Sequence, residues 1–294
     1  MVLISILLSL GVICFDLGTE VTFELIFLVI GSFILGKINV RLTCLAYVVS
    51  LVYFTDLIIT LLGIKKEPFS LPYEKLIVLV GVMHMVEGFM VYLYGAIDNV
   101  CIVNYKDEKI IGGYRTYRKW YIPLFLFKLN GIYLPLICIM AYCDETYTNI
   151  PVQKSKRNGV AVFIFGVIIT YMGLVVLGGR MIVMLAMAIM PLAHELLFMI
   201  DEYLEKEPYI YDLPKKGIRV LEVSKEQHSV TKIERGDIIL KINGKLLTDE
   251  DSYYKAIKEA RLVMILKDLG GNKKILHFDR KDYEQLDIVI LPKE

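Results

Sequence analysis

Two stretches set imidazole beside carboxylate in otherwise apolar surroundings. Met83-His84-Met85-Val86-Glu87-Gly88 puts His84 and Glu87 three residues apart, on one face of a helix. Ala193-His194-Glu195-Leu196-Leu197-Phe198 carries a second pair side by side. Ionisable groups are expensive in hydrocarbon and turn toward protein or water. Imidazoles and carboxylates from two helices can bind a metal, relay a proton, or pair across a bundle. Pairing is the plainest of the three, so His84, Glu87, His194 and Glu195 are read as an intramembrane polar site, with no metal and no cofactor assigned. Glu24, Asp56, Lys128 and Arg180 also fall inside or at the edges of apolar segments.

Catalytic patterns stop short. A zinc-protease helix needs His-Glu-x-x-His, with two histidines one turn apart on the metal and the glutamate as base. Here the last position is Phe198. There is no Gly-x-Ser-x-Gly elbow, and Gly112, Gly113, Gly178 and Gly179 do not make a phosphate loop. No catalytic residue is assigned, and the chain reads as a non-enzyme. The five cysteines, Cys14, Cys44, Cys101, Cys138 and Cys143, are odd in number and form no Cys-x-x-Cys pair. They read as small apolar residues rather than as a disulfide or zinc framework.

The elements that must position these residues divide the chain by solvent. Hydrophobic residues make up 56% of the 294, which excludes a disordered chain and argues against an ordinary soluble enzyme. A net charge of +1 gives no reason to expect nucleic acid. Only 28 of the first 200 residues are charged, against 32 of the last 87. Apolar runs near 2–15, 21–36, 41–63, 76–97, 120–142, 159–178 and 181–200 predict about seven membrane helices over 1–203, the first retained rather than cleaved. Lys and Arg fall evenly between alternate loops, so orientation is not set. Tyr105, Tyr114 and Tyr117 in the loop 98–119, with Trp120 directly after it, suit an aromatic belt at the membrane interface.

Past Glu207 the pattern alternates. Ile218–Val223 reads as a strand, and so do Ile238–Ile242, Leu262–Leu266, Lys274–Phe278 and Leu286–Leu291. Asn243-Gly244 supplies a two-residue hairpin turn. Thr248 is placed to cap a helix from about Asp249 to Ala260, with Tyr253 or Tyr254, Ala256, Ile257 and Ala260 as its apolar stripe.

That order, with Arg235-Gly236-Asp237-Ile238-Ile239-Leu240-Lys241-Ile242-Asn243-Gly244 as its most specific stretch, resembles a bacterial PDZ domain over residues 208–294. The expected architecture is therefore a multi-pass α-helical membrane bundle followed by a small β-rich (α+β) PDZ-like domain. The resemblance implies a peptide groove between an edge strand and the helix, with Lys216, Gly217, Ile218, Arg219, Val220, Tyr253, Tyr254 and Ile257 as its residues. Strand addition would supply backbone hydrogen bonds there. Arg235-Gly236-Asp237 is read as a fold-forming turn. A polytopic region followed by one terminal PDZ domain resembles the MinJ-like membrane adaptors of bacterial division-site selection. This implies a cytoplasmic domain in the cell membrane, with membrane lipid, a division-site scaffold and inhibitor proteins as partners. A divergent intramembrane metalloprotease and an envelope signalling or transport protein are the alternatives.

Overall fold

The computed structural model describes residues 2–64, 71–106, 108–175, 180–206, 208–224, 231–279 and 287–293. Gly178, Gly179, Glu207 and Leu286 lie outside them. The chain divides into two units: residues 1–96, 118–142 and 155–203 form the first, and residues 97–117, 143–154 and 204–294 the second.

Apolar sequence in the first unit folds into α1 (Val2–Cys14), α2 (Leu25–Ile38), α3 (Leu45–Leu61), α4 (Tyr73–Tyr94), α5 (Pro151–Val175) and α6 (Arg180–Leu204). Among the described residues three stretches are long and apolar enough, by length and composition, to cross a membrane: Tyr73–Tyr94, Pro151–Val175 and Met181–Leu204. Helices α1 to α3 have 13, 14 and 17 residues. At 1.5 Å per residue they fall short of a hydrocarbon core about 30 Å thick. The expected multi-pass bundle of seven helices is therefore corrected to three membrane-capable helices with shorter apolar helices beside them.

Residues 120–142, expected as a span, are strands. They belong to β3 (Lys109–Leu129) and β4 (Ile132–Thr146), which pair with each other. Between them Asn130 and Gly131 have φ of 51° and 79°, the left-handed pair that a two-residue hairpin turn needs. Side chains from Trp120 to Leu126 alternate strictly between buried and exposed, the period of a strand. A hydropathy window cannot separate such a hairpin from a helix, because both score by composition alone. Within this unit β1 (Thr19–Glu20) runs parallel to β3, with Thr19 opposite Phe127. Lys128 pairs with Asp16, which also holds Lys75 at 2.9 Å.

Glycines bring α4 and α5 into backbone contact. Gly159, Gly166 and Gly173 recur every seven residues on α5 and face Tyr92, Met85 and Val78 of α4; Gly159 and Gly166 also meet Gly88 and Gly81. Such small-residue rows are how helices pack closely where lipid removes the hydrophobic drive to associate.

The second unit begins earlier than the tail. Strand β2 (Val100–Lys106) pairs antiparallel with residues 109–115 of β3. Tyr114, expected in an interfacial belt, is instead fully buried against Tyr211, with Leu221 and Leu291. The tail adds β5 (Ile218–Val223), β6 (Ile238–Ile242), β7 (Lys245–Leu246), α7 (Glu250–Ala256), β8 (Arg261–Lys267), β9 (Lys273–Asp279) and β10 (Ile288–Ile290). Its sheet runs β10-β5-β6-β8-β9, with β7 on β6. Asn243 and Gly244, at φ 48° and 78°, make the expected turn between β6 and β7.

The cap of α7 sits one residue later than expected. Asp249 accepts from the Ser252 N–H at 2.7 Å, and Ser252 Oγ accepts from the Asp249 N–H at 3.3 Å, a reciprocal box. The Ser252 N–H, then the Thr248 hydroxyl, hold the Asp249 carboxyl below the usual value of 3.8. The carboxylate form thus stabilises the fold above that usual value, and its contribution disappears as pH falls through the lower, folded value. Hydrogen exchange of α7 amides, taken relative to the unstructured rate at the same pH, should accelerate on acidification through this window. In Asp249→Asn, which caps without ionising, that acceleration should flatten; an unchanged pH profile would refute the assignment.

Candidate functional site

The expected peptide groove is not where the sequence placed it. Strand β5 has neighbours on both sides. Ile218 and Arg219 pair with Ile239 and Ile238 of β6, while Val220, Glu222 and Val223 pair with β10. An internal strand has no free backbone edge to offer a peptide, so β5, which carries Ile218, Arg219 and Val220, is not the edge strand that the groove requires. Ile218 and Val220 are core residues, and so is Tyr253, which settles that this tyrosine points inward and Tyr254 outward. Arg219 is buried too: its guanidinium donates to the Asp212 carbonyl at 2.8 Å, the Asp212 carboxylate at 2.7 Å and the Gly236 carbonyl at 2.9 Å. Gly217 takes φ 86° beneath the Ile239 carbonyl. Of the eight expected contacts, Lys216 and Tyr254 are exposed and Ile257 is half-buried against the core.

Arg235-Gly236-Asp237 behaves as a fold-forming turn. Arg235 grips Glu222 through Nε and Nη2 at 2.6–2.8 Å, reaches Asn99 at 2.7 Å, and lies 4.8 Å from the Tyr114 ring centre. Gly236 has φ 90°, and buried Asp237 accepts from the Glu234 N–H at 3.0 Å.

In the first unit the structure joins three of the four expected polar residues. His84 of α4 and His194 of α6 stack edge to face with ring centres 5.2 Å apart. Phe165 of α5 lies 4.9 Å from His84 and 5.5 Å from His194. Glu195 accepts from the Tyr47 hydroxyl at 2.8 Å and meets Arg41 at 3.4 Å. Glu87 lies one turn beyond His84 on α4, half-buried and near enough to Cys44 for its charge to act on that residue. Phe198, at the broken protease position, packs its ring 5.2 Å from His194 and 5.3 Å from the Arg41 guanidinium. Asp56, also singled out in the sequence, is buried and accepts from Tyr73 at 3.2 Å.

Two residues of this cluster were not among the expected ones. Cys44 precedes α3 after the 3-10 turn Val40–Thr43, and its Sγ lies 3.2 Å from His84 Nε2. Tyr47, in the first turn of α3, bridges His194 Nδ1 at 2.9 Å and Glu195. Neither carries a spacing signal, since their partners lie 40 and 147 positions away. Cys44, His84 and His194 form a group able to hold a metal ion. Comparison of the chain with family models, curated proteins and solved structures finds no match.

Proposed function

We propose that this protein is a membrane-anchored, non-catalytic adaptor that takes an extended peptide along β10, with α7 as the opposite wall. One observation carries the reading: β10 ends its sheet, with β5 on one side and no described strand on the other. A strand in that position can accept another through its backbone N–H and C=O groups. Helix α7 flanks it, since Lys293, three residues past β10, donates its N–H to Glu250 in the first turn at 2.8 Å. Val289 and Tyr254 give this pair exposed apolar surface. The resemblance of the tail to a PDZ domain supports the same chemistry. Likeness to MinJ-like adaptors makes division-site scaffold and inhibitor proteins the first partners to test, with the domain in the cytoplasm.

The test uses the full chain in lipid nanodiscs, titrated by fluorescence anisotropy with a library of short C-terminal and internal peptides. Saturable binding of a subset is expected. Tyr254→Ala and Val289→Lys, both at exposed positions, should each weaken it about tenfold, or about 1.4 kcal/mol. Absence of saturable binding, or affinity indifferent to both substitutions, would overturn the reading.

A further inference from the structure

We infer that Cys44, His84 and His194 form a binding site for one zinc ion, tying the start of α3 to the middles of α4 and α6. Their ligand atoms all lie within 4.8 Å of one another. Around zinc, with Zn–S about 2.3 Å and Zn–N about 2.0–2.1 Å, tetrahedral donors stand roughly 3.3–3.6 Å apart. Cys44 Sγ and His84 Nε2 are already at 3.2 Å. An inward shift of about 1 Å in the remaining donors completes the set.

The surrounding hydrogen bonds point both imidazole lone pairs inward. His84 Nδ1 lies 2.7 Å from the Val80 carbonyl on its own helix, an atom that can only accept. The proton is therefore on Nδ1, and Nε2 presents its lone pair toward Cys44. For His194 the logic passes through Tyr47. The Tyr47 hydroxyl has one proton, and it goes to Glu195 Oε1 at 2.8 Å. Its oxygen therefore accepts from His194 Nδ1–H at 2.9 Å, which leaves Nε2 as the free donor atom. Metal-bound histidines ordinarily have the far nitrogen held by a carbonyl or carboxylate in this way. Here the holding chain runs His194–Tyr47–Glu195–Arg41, and it ends on a half-exposed guanidinium.

The donor chemistry selects the ion. One thiolate and two neutral imidazoles suit zinc and disfavour magnesium or calcium, which prefer oxygen. Binding exchanges the Cys44 thiol proton for the metal, so that proton is released and affinity falls as pH is lowered. With three protein donors the fourth position falls to a non-protein ligand such as water. His84 and His194 are buried inside two membrane-capable helices, where ionisable groups need a specific reason to be placed.

The test is zinc uptake by the full-length chain, stripped with chelator in nanodiscs and re-equilibrated with zinc alone. One zinc per chain is expected by elemental mass spectrometry, and Cys44→Ser combined with His194→Ala should remove it. Tyr47→Phe, which leaves the three donors intact, should weaken uptake about 10–100-fold. Two readouts avoid substitution altogether. Cobalt in the unsubstituted chain should show thiolate-to-metal charge transfer with tetrahedral d–d bands. Zinc should slow alkylation of Cys44 at least about tenfold while exposed Cys14 and Cys143 react as before. No uptake, uptake of copper(I) only, cobalt spectra without a thiolate band, or unprotected Cys44 would each overturn the proposal. Peptide binding by the second unit is measured separately, so either idea can fail alone.

Discussion

Gly166→Ala is expected to destabilise the α4–α5 pair by about 1–3 kcal/mol, and Gly166→Leu to prevent folded chain from accumulating. A Cβ at Gly166 would stand 2.5 Å from Met85 N and 2.6 Å from the Gly81 carbonyl oxygen. Both are backbone atoms of the neighbouring helix, so no side-chain rotation relieves the clash and the helices must separate. The same crowding recurs one repeat away, where a Cβ at Gly159 would meet Tyr92 N at 2.5 Å and the Gly88 oxygen at 2.7 Å. In lipid there is no hydrophobic drive between helices, so the close packing lost on separation is a main source of their association. The measurement is the temperature at which detergent-solubilised chain loses its monodisperse size-exclusion peak. Gly11 of α1 is the control: a Cβ there meets nothing within 4 Å. Gly11→Ala should leave the midpoint unchanged or raise it, since alanine is the better helix former. Equal losses at Gly11 and Gly166 would refute the close-packing account.

Tyr253→Ala should cost the second unit about 3–5 kcal/mol, whereas Tyr253→Phe should be neutral or stabilising. The ring is fully buried in the core formed with Val220, Val223, Ile288 and Ile290, and deleting it leaves a ring-sized cavity. Its hydroxyl is buried with no hydrogen-bond partner among the described residues. Phenylalanine keeps the packing and removes an unsatisfied polar atom. A loss of that size is a large share of the roughly 5–15 kcal/mol that holds a typical domain. Urea titration of the full chain, followed by hydrogen exchange at β5, β6 and β8, separates the two variants. Similar losses for Ala and Phe would show that the hydroxyl contributes and that the ring does not dominate.

The strands and helix of the tail were legible because their signals are local. Alternation over Ile218–Val223 and Ile238–Ile242 needs only neighbouring residues, and Asn243-Gly244 names its own turn. The same rule applied to Asn130-Gly131 identifies the hairpin that apolar composition disguised as a span. The helix cap moved from Thr248 to Asp249 because either side chain can cap, and the Ser252 geometry chooses between them. Tyr114 could not be placed from sequence: an aromatic beside Arg and Lys fits a membrane interface as well as it fits a core.

By itself the sequence determined the partition between apolar and charged portions and the order of elements in the tail. Each follows from composition or from spacings of a few residues, where backbone period and turn preference act directly. Tertiary structure alone decided that β10 covers the flank of β5, that Tyr253 faces inward, and that Cys44 meets His84 and His194. Those outcomes depend on pairings across tens to more than a hundred residues. Many arrangements satisfy the same local pattern, and only mutual burial and hydrogen bonding select among them.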